Sequence, residues 1–220
     1  MLGGGFLLPF FAGILIMGER KGSVPVYRYY MFNKPFGCVT ARRDEKFPVV
    51  MDYFRELDNP DLSPVGRLDR ETEGLLFITD DGMWNRKMTL PGEGKEKRYE
   101  FVVMGALTED KVKQLEAGVF LRGDDTPTAP CKIEVTGFST LGEVLPTLHP
   151  DIQRKSAHNP MDRPMTFGAI TITEGRYRQI RRMMKVVRCL VLSLKRVSAD
   201  GIELDPELKP GEWKEIFIEQ

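Results

Sequence analysis

The chain has 220 residues, enough for one large domain or two small lobes around a real core. Hydrophobic residues make up 41%, which excludes a disordered chain. Formal net charge is zero, so a strongly basic global field is excluded and any nucleic-acid binding must come from a local patch.

Leu7 to Met17 is almost wholly apolar, with Pro9 and Gly13 inside it. A secretory signal wants a basic start and a small-residue cleavage site, and the run is too short to span a bilayer. The expectation is an N-terminal extension over 1–28, with Met17 as the true start, or else a segment packed on the domain or a partner. Tyr29–Asn33 reads as a strand, ended by Lys34-Pro35 and Phe36-Gly37. Val49–Leu57 has helical spacing, and Pro60 and Pro64 then break the chain. Leu75–Thr79 fits a buried strand. Asp81 can cap a helix from Met83 to Thr89, and Thr108 one through Ala117, closed by Gly118. Tyr99–Val103 and Cys131–Val135 are strands. Residues 137–168 have weak periodicity and several Pro and Gly, and are expected to be an extended, mobile loop insertion. Ala169–Thr173 is a strand, and Gln179–Val187 a helix with Ile180, Met183, Met184 and Val187 inward. Val191–Val197, Gly201–Leu204 and Trp213–Ile218 complete the strands. Many strands with short helices and no regular βαβ alternation predict an α+β fold.

Cys38, Cys131 and Cys189 are far apart, with no CxxC pair, and read as ordinary thiols of a reducing compartment, the cytoplasm. With only His149 and His158 besides, no metal site is expected. Asp80-Asp81 reads as a helix cap and turn rather than a metal pair. There is no Walker-type loop and no dinucleotide fingerprint.

The most informative stretch is 66–82, Gly-Arg-Leu-Asp-Arg-Glu-Thr-Glu-Gly-Leu-Leu-Phe-Ile-Thr-Asp-Asp-Gly. It is a polar, glycine-bounded loop running into an apolar strand. Asp69 lies between Arg67 and Arg70, and a carboxylate between two cations is expected to stay ionised and serve as nucleophile or base. By spacing alone, a surface loop with local ion pairs is the alternative. From Arg176 to Arg188 there are six basic residues and no acidic one. On a helix they give a basic face beside the apolar stripe, suited to RNA phosphates.

Gly66-Arg67-Leu-Asp69, Thr72-Glu-Gly74-Leu-Leu and Thr79-Asp-Asp-Gly82 resemble the catalytic motif of the RNA pseudouridine synthases. Within them the chain is most similar to the RsuA/RluB/E/F family that modifies bacterial ribosomal RNA. Asn33-Lys34-Pro35, Lys97-Arg-Tyr99 and Glu174-Gly-Arg-Tyr-Arg-Gln-Ile-Arg-Arg-Met183 agree, in the family's order. The resemblance runs from about Tyr29 to Ile216. It implies a pseudouridine synthase catalytic domain over 29–220, in two lobes, with a mixed, mostly antiparallel sheet, flanking helices and a central cleft. It implies an isomerase that turns a uridine of ribosomal RNA into pseudouridine with no cofactor, acting as a monomer and with no membrane partner. Asp69 would be the essential carboxylate, Tyr99 would stack on the base, and Arg181 would hold Asp69. Arg67, Lys34, Arg176, Arg178, Arg182 and Lys185 would bind RNA.

Many family members begin with a small helical RNA-binding module, and a catalytic region starting near residue 29 leaves no room for one. That feature, the 137–168 insertion and the Arg-Gln-Ile-Arg-Arg motif resemble the large-subunit member without the module. Large-subunit ribosomal RNA is therefore the expected substrate, with the small-subunit enzyme as alternative. Two rival classes are a non-catalytic RNA-binding or assembly factor on the same fold, and a carboxylate hydrolase of small glycosides or nucleosides. The hydrolase would want a second placed acid and no basic face.

Overall fold

The computed structural model describes residues 27–90 and 92–218; the apolar run at 7–17 and the expected start at Met17 lie outside them. Leu75-Leu-Phe-Ile is an unbroken apolar run, the pattern of a strand covered on both faces. It forms the middle of β3 (Glu73–Thr79), buried from Gly74 onward. β3 pairs antiparallel with the wholly buried β1 (Tyr29–Lys34) and with the short β2 (Ser63–Pro64). β9 (Trp213–Ile216) lies outside β1. On the other side, β4 (Lys97–Met104), β5 (Lys132–Thr140), β6 (Pro164–Ile172) and β7 (Leu190–Ala199) pair antiparallel, with β8 (Ile202–Glu203) turned back on β7. The order β5-β6-β4-β7-β3-β1-β9, with β2 beside β3 and β8 beside β7, makes one nine-stranded sheet among the described residues, and the expected α+β, mostly antiparallel architecture is observed.

The two antiparallel halves meet at a short parallel seam, Glu73 opposite Lys195 and Gly74 opposite Arg196. Gly74 has φ +96°, and a Cβ there would meet the Arg196 carbonyl oxygen at 2.2 Å. Only glycine lets the strands come so close. The seam fixes where the polar loop before β3 lies against β7.

Alternate residues of the strands feed opposite faces. Phe32, Leu76, Ile78, Phe101 and Val103 enter one core. It is closed by Val50 and Phe54 of a 3-10 helix (Val50–Leu57), Leu115 of α2 (Glu109–Glu116), and Ile180, Met183 and Met184 of α5 (Gln179–Val186). Met31, Leu75 and Phe77 face the other way and pack with Met88 of α1 (Gly82–Thr89). Asp81 caps α1, accepting from the Met83 and Trp84 amides at 2.9 Å each and from the Tyr29 hydroxyl at 2.7 Å.

A third cluster corrects the expectation of a mobile loop at 137–168. Residues 137–140 complete β5 and 164–168 begin β6. Between them lie α3 (Leu141–Val144), a 3-10 turn (Leu145–Thr147) and α4 (Pro150–Ser156). Leu141, Val144, Leu148 and Ile152 bury against Met104, Met165 and Leu192. The prolines that read as breakers stand in first turns, at Pro146 and Pro150, where a missing N–H costs nothing. The helices are also too short to show a period. Among the described residues no helix is long and apolar enough to cross a membrane.

Candidate active site

The loop at 66–72 is held by its backbone. The buried Thr40 hydroxyl donates to the Leu68 carbonyl at 2.9 Å and accepts from the Leu68 amide at 3.2 Å. The Arg70 carbonyl accepts from the Gly37 amide at 2.8 Å and from Lys34 Nζ at 3.3 Å. Lys34 Nζ also donates to the carbonyls of Thr72, at 2.8 Å, and Pro35, at 3.1 Å. The Asp69 carbonyl takes the Thr72 amide at 3.0 Å. Arg181 Nη2 donates to the Glu71 carbonyl at 2.9 Å, while its Nη1 reaches the Val191 carbonyl on β7 at 3.1 Å.

Within this clamped loop the Asp69 carboxylate itself enters no hydrogen bond or ion pair among the described residues. It is half-buried and faces a cavity that Arg67, Thr72, Tyr99, Arg176, Arg178 and Arg181 also line. Two buried polar atoms of that lining have no partner, Thr72 Oγ1 and Arg181 Nε. Orphaned buried groups of this kind carry a desolvation cost that a bound molecule can relieve. Burial lowers the Arg181 guanidinium from its ordinary value, and the carboxylates of Glu71 and Asp69 act against that shift. So Arg181 stands in the field of Asp69 without pairing with it directly.

The two cations beside Asp69 in sequence do not pair with it either. Arg67 is exposed, and Arg70 lies over the Phe47 ring at 4.3 Å and reaches Glu71 at 3.8 Å. Glu71 is the loop's electrostatic hub. It pairs with Arg178 at 3.0 Å and with Lys155 of α4 at 3.6 Å. Burial raises the Glu71 carboxyl, but Arg178, Arg181 and Lys155 outweigh it and the value ends below the ordinary one. His149 stacks on Phe36 at 4.0 Å, so α4 and its cap touch both the loop and the turn after β1.

Tyr99 is buried on β4. The register of β4 on β7 slips between Arg98 and Tyr99, which sets Tyr99 opposite Arg196. The Tyr99 side chain lines the cavity that Asp69 faces.

Several residues expected to bind RNA have other work. Lys34 has no exposed surface; burial pushes its ammonium down to about 8, and it is a clamp for the loop, not a phosphate contact. The reason is its place at the end of a strand buried on both faces. Arg176 is committed to Glu174 and Asp124 at 3.1 Å each and to the Thr126 and Pro127 carbonyls. Arg182 is committed to Asp124 at 2.5 Å and to the Arg122 carbonyl at 2.7 Å. Both arginines staple the connection after α2 to the turn before α5. The uninterrupted basic run hid this, because its acidic partner lies 52 residues away in sequence. Lys185 and Arg188 are exposed on α5 and its exit, and their side chains have no partner among the described residues. Sequence reasoning missed Glu71 and Thr40 as loop holders; neither carries a signal beyond its place near a turn.

The family model for RNA pseudouridylate synthase matches residues 28–185. The chain belongs to this family. Among curated pseudouridine synthases, it is 36% identical over 193 residues to the ribosomal small subunit pseudouridine synthase A of Pseudomonas aeruginosa, covering 88% of this chain and 72% of that protein. It is 34% identical over 196 residues to the protein of the same name from Escherichia coli K12, covering 88% and 72%. It is 32% identical over 193 residues to the uncharacterized RNA pseudouridine synthase YtzG of Bacillus subtilis, covering 87% and 71%. A crystal structure of a pseudouridylate synthase superposes with a TM-score of 0.71 at 29% identity, covering 88% of this chain and 72% of that one. The chain is therefore a pseudouridine synthase, an isomerase, built on the pseudouridine synthase fold. The clamped loop lies within the residues that match the family model.

Proposed function

We propose that this synthase isomerises a uridine of small-subunit ribosomal RNA, with Asp69 as the essential carboxylate. The observation that carries the role of Asp69 is the contrast inside one loop. All five backbone carbonyls of 68–72 accept hydrogen bonds, while the Asp69 carboxylate is left without a partner among the described residues at the cavity. A catalytic group needs that combination of fixed position and free reacting atoms.

In the reaction the bond from ribose C1′ to uracil N1 breaks, the ring turns while held, and C1′ bonds to C5. The C5 hydrogen is lost as a proton and N1 gains one, so no oxidant or cofactor enters the balance. Asp69 serves as nucleophile or base in this sequence. The Tyr99 ring is the platform for the base, since a base lifted from its stack needs an aromatic face. Arg181 ties the loop to β7 and supplies positive potential beside Asp69. Arg67, exposed and without an ion pair among the described residues, contacts phosphate at the cavity mouth.

The expected large-subunit target finds no support in the curated relatives of P. aeruginosa and E. coli, which are named for the small subunit. The test is pseudouridine mapping on small-subunit and large-subunit transcripts treated with the purified protein and with Asp69→Asn. One new pseudouridine in small-subunit RNA is expected, absent with the Asn variant, which should still bind RNA and unfold at the same urea concentration. Modification confined to large-subunit RNA would overturn the substrate. Turnover by Asp69→Asn would overturn the role of Asp69.

A further inference from the structure

A second cavity opens beside the first and shares Arg67, Tyr99, Gly175 and Arg176 with it. Its floor is apolar, with Val65, Phe77, Met88, Leu90 and Ala199. Its wall is charged, with more cations than acids, the acids being Glu96, Glu174 and Asp200. Lys95 is neutralised by Asp200 at 2.7 Å and Arg176 by Glu174 at 3.1 Å. Lys97 and Arg196 have no such counter-ion among the described residues.

Arg196 is the sharper case. It is 5% exposed, and its Nε donates to the Leu75 carbonyl at 2.7 Å. Its two terminal nitrogens have no partner among the described residues, yet neither is sealed from solvent. The planar end of a buried guanidinium therefore lines the cavity with its donors unused. Lys97 is half-buried beside it and donates only to the Lys95 carbonyl, at 2.9 Å. Burial lowers the Lys97 ammonium from its ordinary value and Arg196 lowers it further. Asp200, which also lines the cavity, acts against that shift, but its carboxylate is paired with Lys95, so an anion between Arg196 and Lys97 would relieve their repulsion and engage the unused donors.

We propose that this second cavity is a subsite for the nucleotide adjoining the target uridine, its phosphate between Arg196 and Lys97 and its base on the apolar floor. The inference rests on the reading of the first cavity as the uridine site, because Tyr99 and Arg67 border both. An apolar floor beside a forked cationic wall suits a base joined to a phosphate. The bound neighbour would fix the strand as the uridine enters and would contribute to the choice of uridine.

The test is an affinity measurement on a short RNA carrying the mapped uridine. Each flanking phosphate is replaced in turn by a neutral methylphosphonate, and each flanking base by an abasic sugar. The proteins are the native chain, Lys97→Gln and Leu90→Trp; Leu90 is 43% exposed and belongs to no buried cluster, so the tryptophan fills the floor without entering a core. At one flanking position the native protein is expected to lose about tenfold in affinity on the methylphosphonate RNA. Lys97→Gln should lose about as much on the ordinary RNA and little more on the methylphosphonate RNA. Leu90→Trp should bind the ordinary RNA less tightly and the matching abasic RNA no worse than the native protein does. Losses from Lys97→Gln and from the methylphosphonate that simply multiply would overturn the proposal. So would equal displacement of the RNA by inorganic phosphate in native protein and Lys97→Gln. Because the readout is binding, a native protein that isomerises no RNA would defeat the proposed function while these affinities still decide the subsite.

Discussion

A lysine with no exposed surface needs an acceptor for each of its N–H bonds, and Lys34 finds three in the Pro35, Arg70 and Thr72 carbonyls. Replacing it with methionine keeps the stem and removes the clamp. A loop displaced by even 1 Å loses about a hundredfold in rate, so Lys34→Met is expected to lower kcat/KM on RNA by about that factor. The same variant tests the burial of charge. The folded-state value is about 8 against an ordinary 10.5. Below pH 8 both folded and unfolded chains hold the proton, and the burial penalty is present in full. Between 8 and 10.5 the unfolded chain holds more protons, so this group's contribution to stability rises with pH. Urea unfolding of native protein and Lys34→Met should therefore diverge in favour of the native protein as pH climbs from 7 to 10. A constant difference over that window would mean that Lys34 is not buried as a charged group. At this scale the sequence showed Asp69, Tyr99 and Arg181 by motif, and the structure lines one cavity with them. It did not show the job of Lys34, since a lysine before a proline looks the same whether its amine meets phosphate or backbone.

Among the elements, the seam between β3 and β7 carries the heaviest constraint. Gly74→Ala would place a methyl 2.2 Å from a backbone oxygen at a positive φ, where no flexible side chain can give way. The expected cost is about 4 kcal/mol or more, read as a large drop in the urea midpoint or as failure to accumulate folded protein. A change below about 1 kcal/mol would show that the strands part easily there. The α4 helix makes a milder claim: Ile152→Ala should cost about 2–3 kcal/mol by opening the cluster around Met104 and Leu192. A stability unchanged in that variant would return 137–168 to the status of a detachable loop. The elements read correctly in advance had a period or a cap to show, as with the apolar run of β3, the inward stripe of α5 and the Asp81 cap of α1. Those misread were α3 and α4, of 4 and 7 residues, too short for periodicity and held by tertiary burial. No local pattern states that Lys155 turns back onto Glu71 of the 66–72 loop and His149 onto Phe36 after β1, because those contacts are made by the topology of β5 and β6.

For the whole molecule, a net charge of zero means that RNA affinity depends on which cations remain unpaired, not on how many the chain contains. Arg176 and Arg182 neutralise Asp124, whereas Lys185 and Arg188 end the same helix exposed and unpaired. Arg188 also carries strain. It sits at φ +60°, where the amides of Arg188 and Cys189 close the helix on the carbonyls of Lys185 and Met184 at 3.0 and 2.9 Å. Glycine is the usual residue at such a left-handed closing position, so a bulky arginine there points to a use outside folding. Two separable outcomes are expected from Arg188→Gly. Stability should rise by about 0.5–1 kcal/mol as the left-handed strain is relieved, and RNA affinity should fall. Lys185→Ala should weaken RNA binding with little change in stability. Each phosphate contact contributes roughly 0.7–0.9 to the slope of log affinity against log salt, so the double variant should flatten that slope by about 1.4–1.8. Arg182→Ala is the contrast: it should lower the urea midpoint by freeing Asp124 from one partner, with a smaller effect on the slope. Titrations at several salt concentrations, paired with urea unfolding of the same proteins, separate these outcomes. If Arg182→Ala flattens the slope as much as the double variant does, Asp124 gives up its arginine when RNA arrives, and the division between structural and RNA-binding cations drawn from the ion pairs fails.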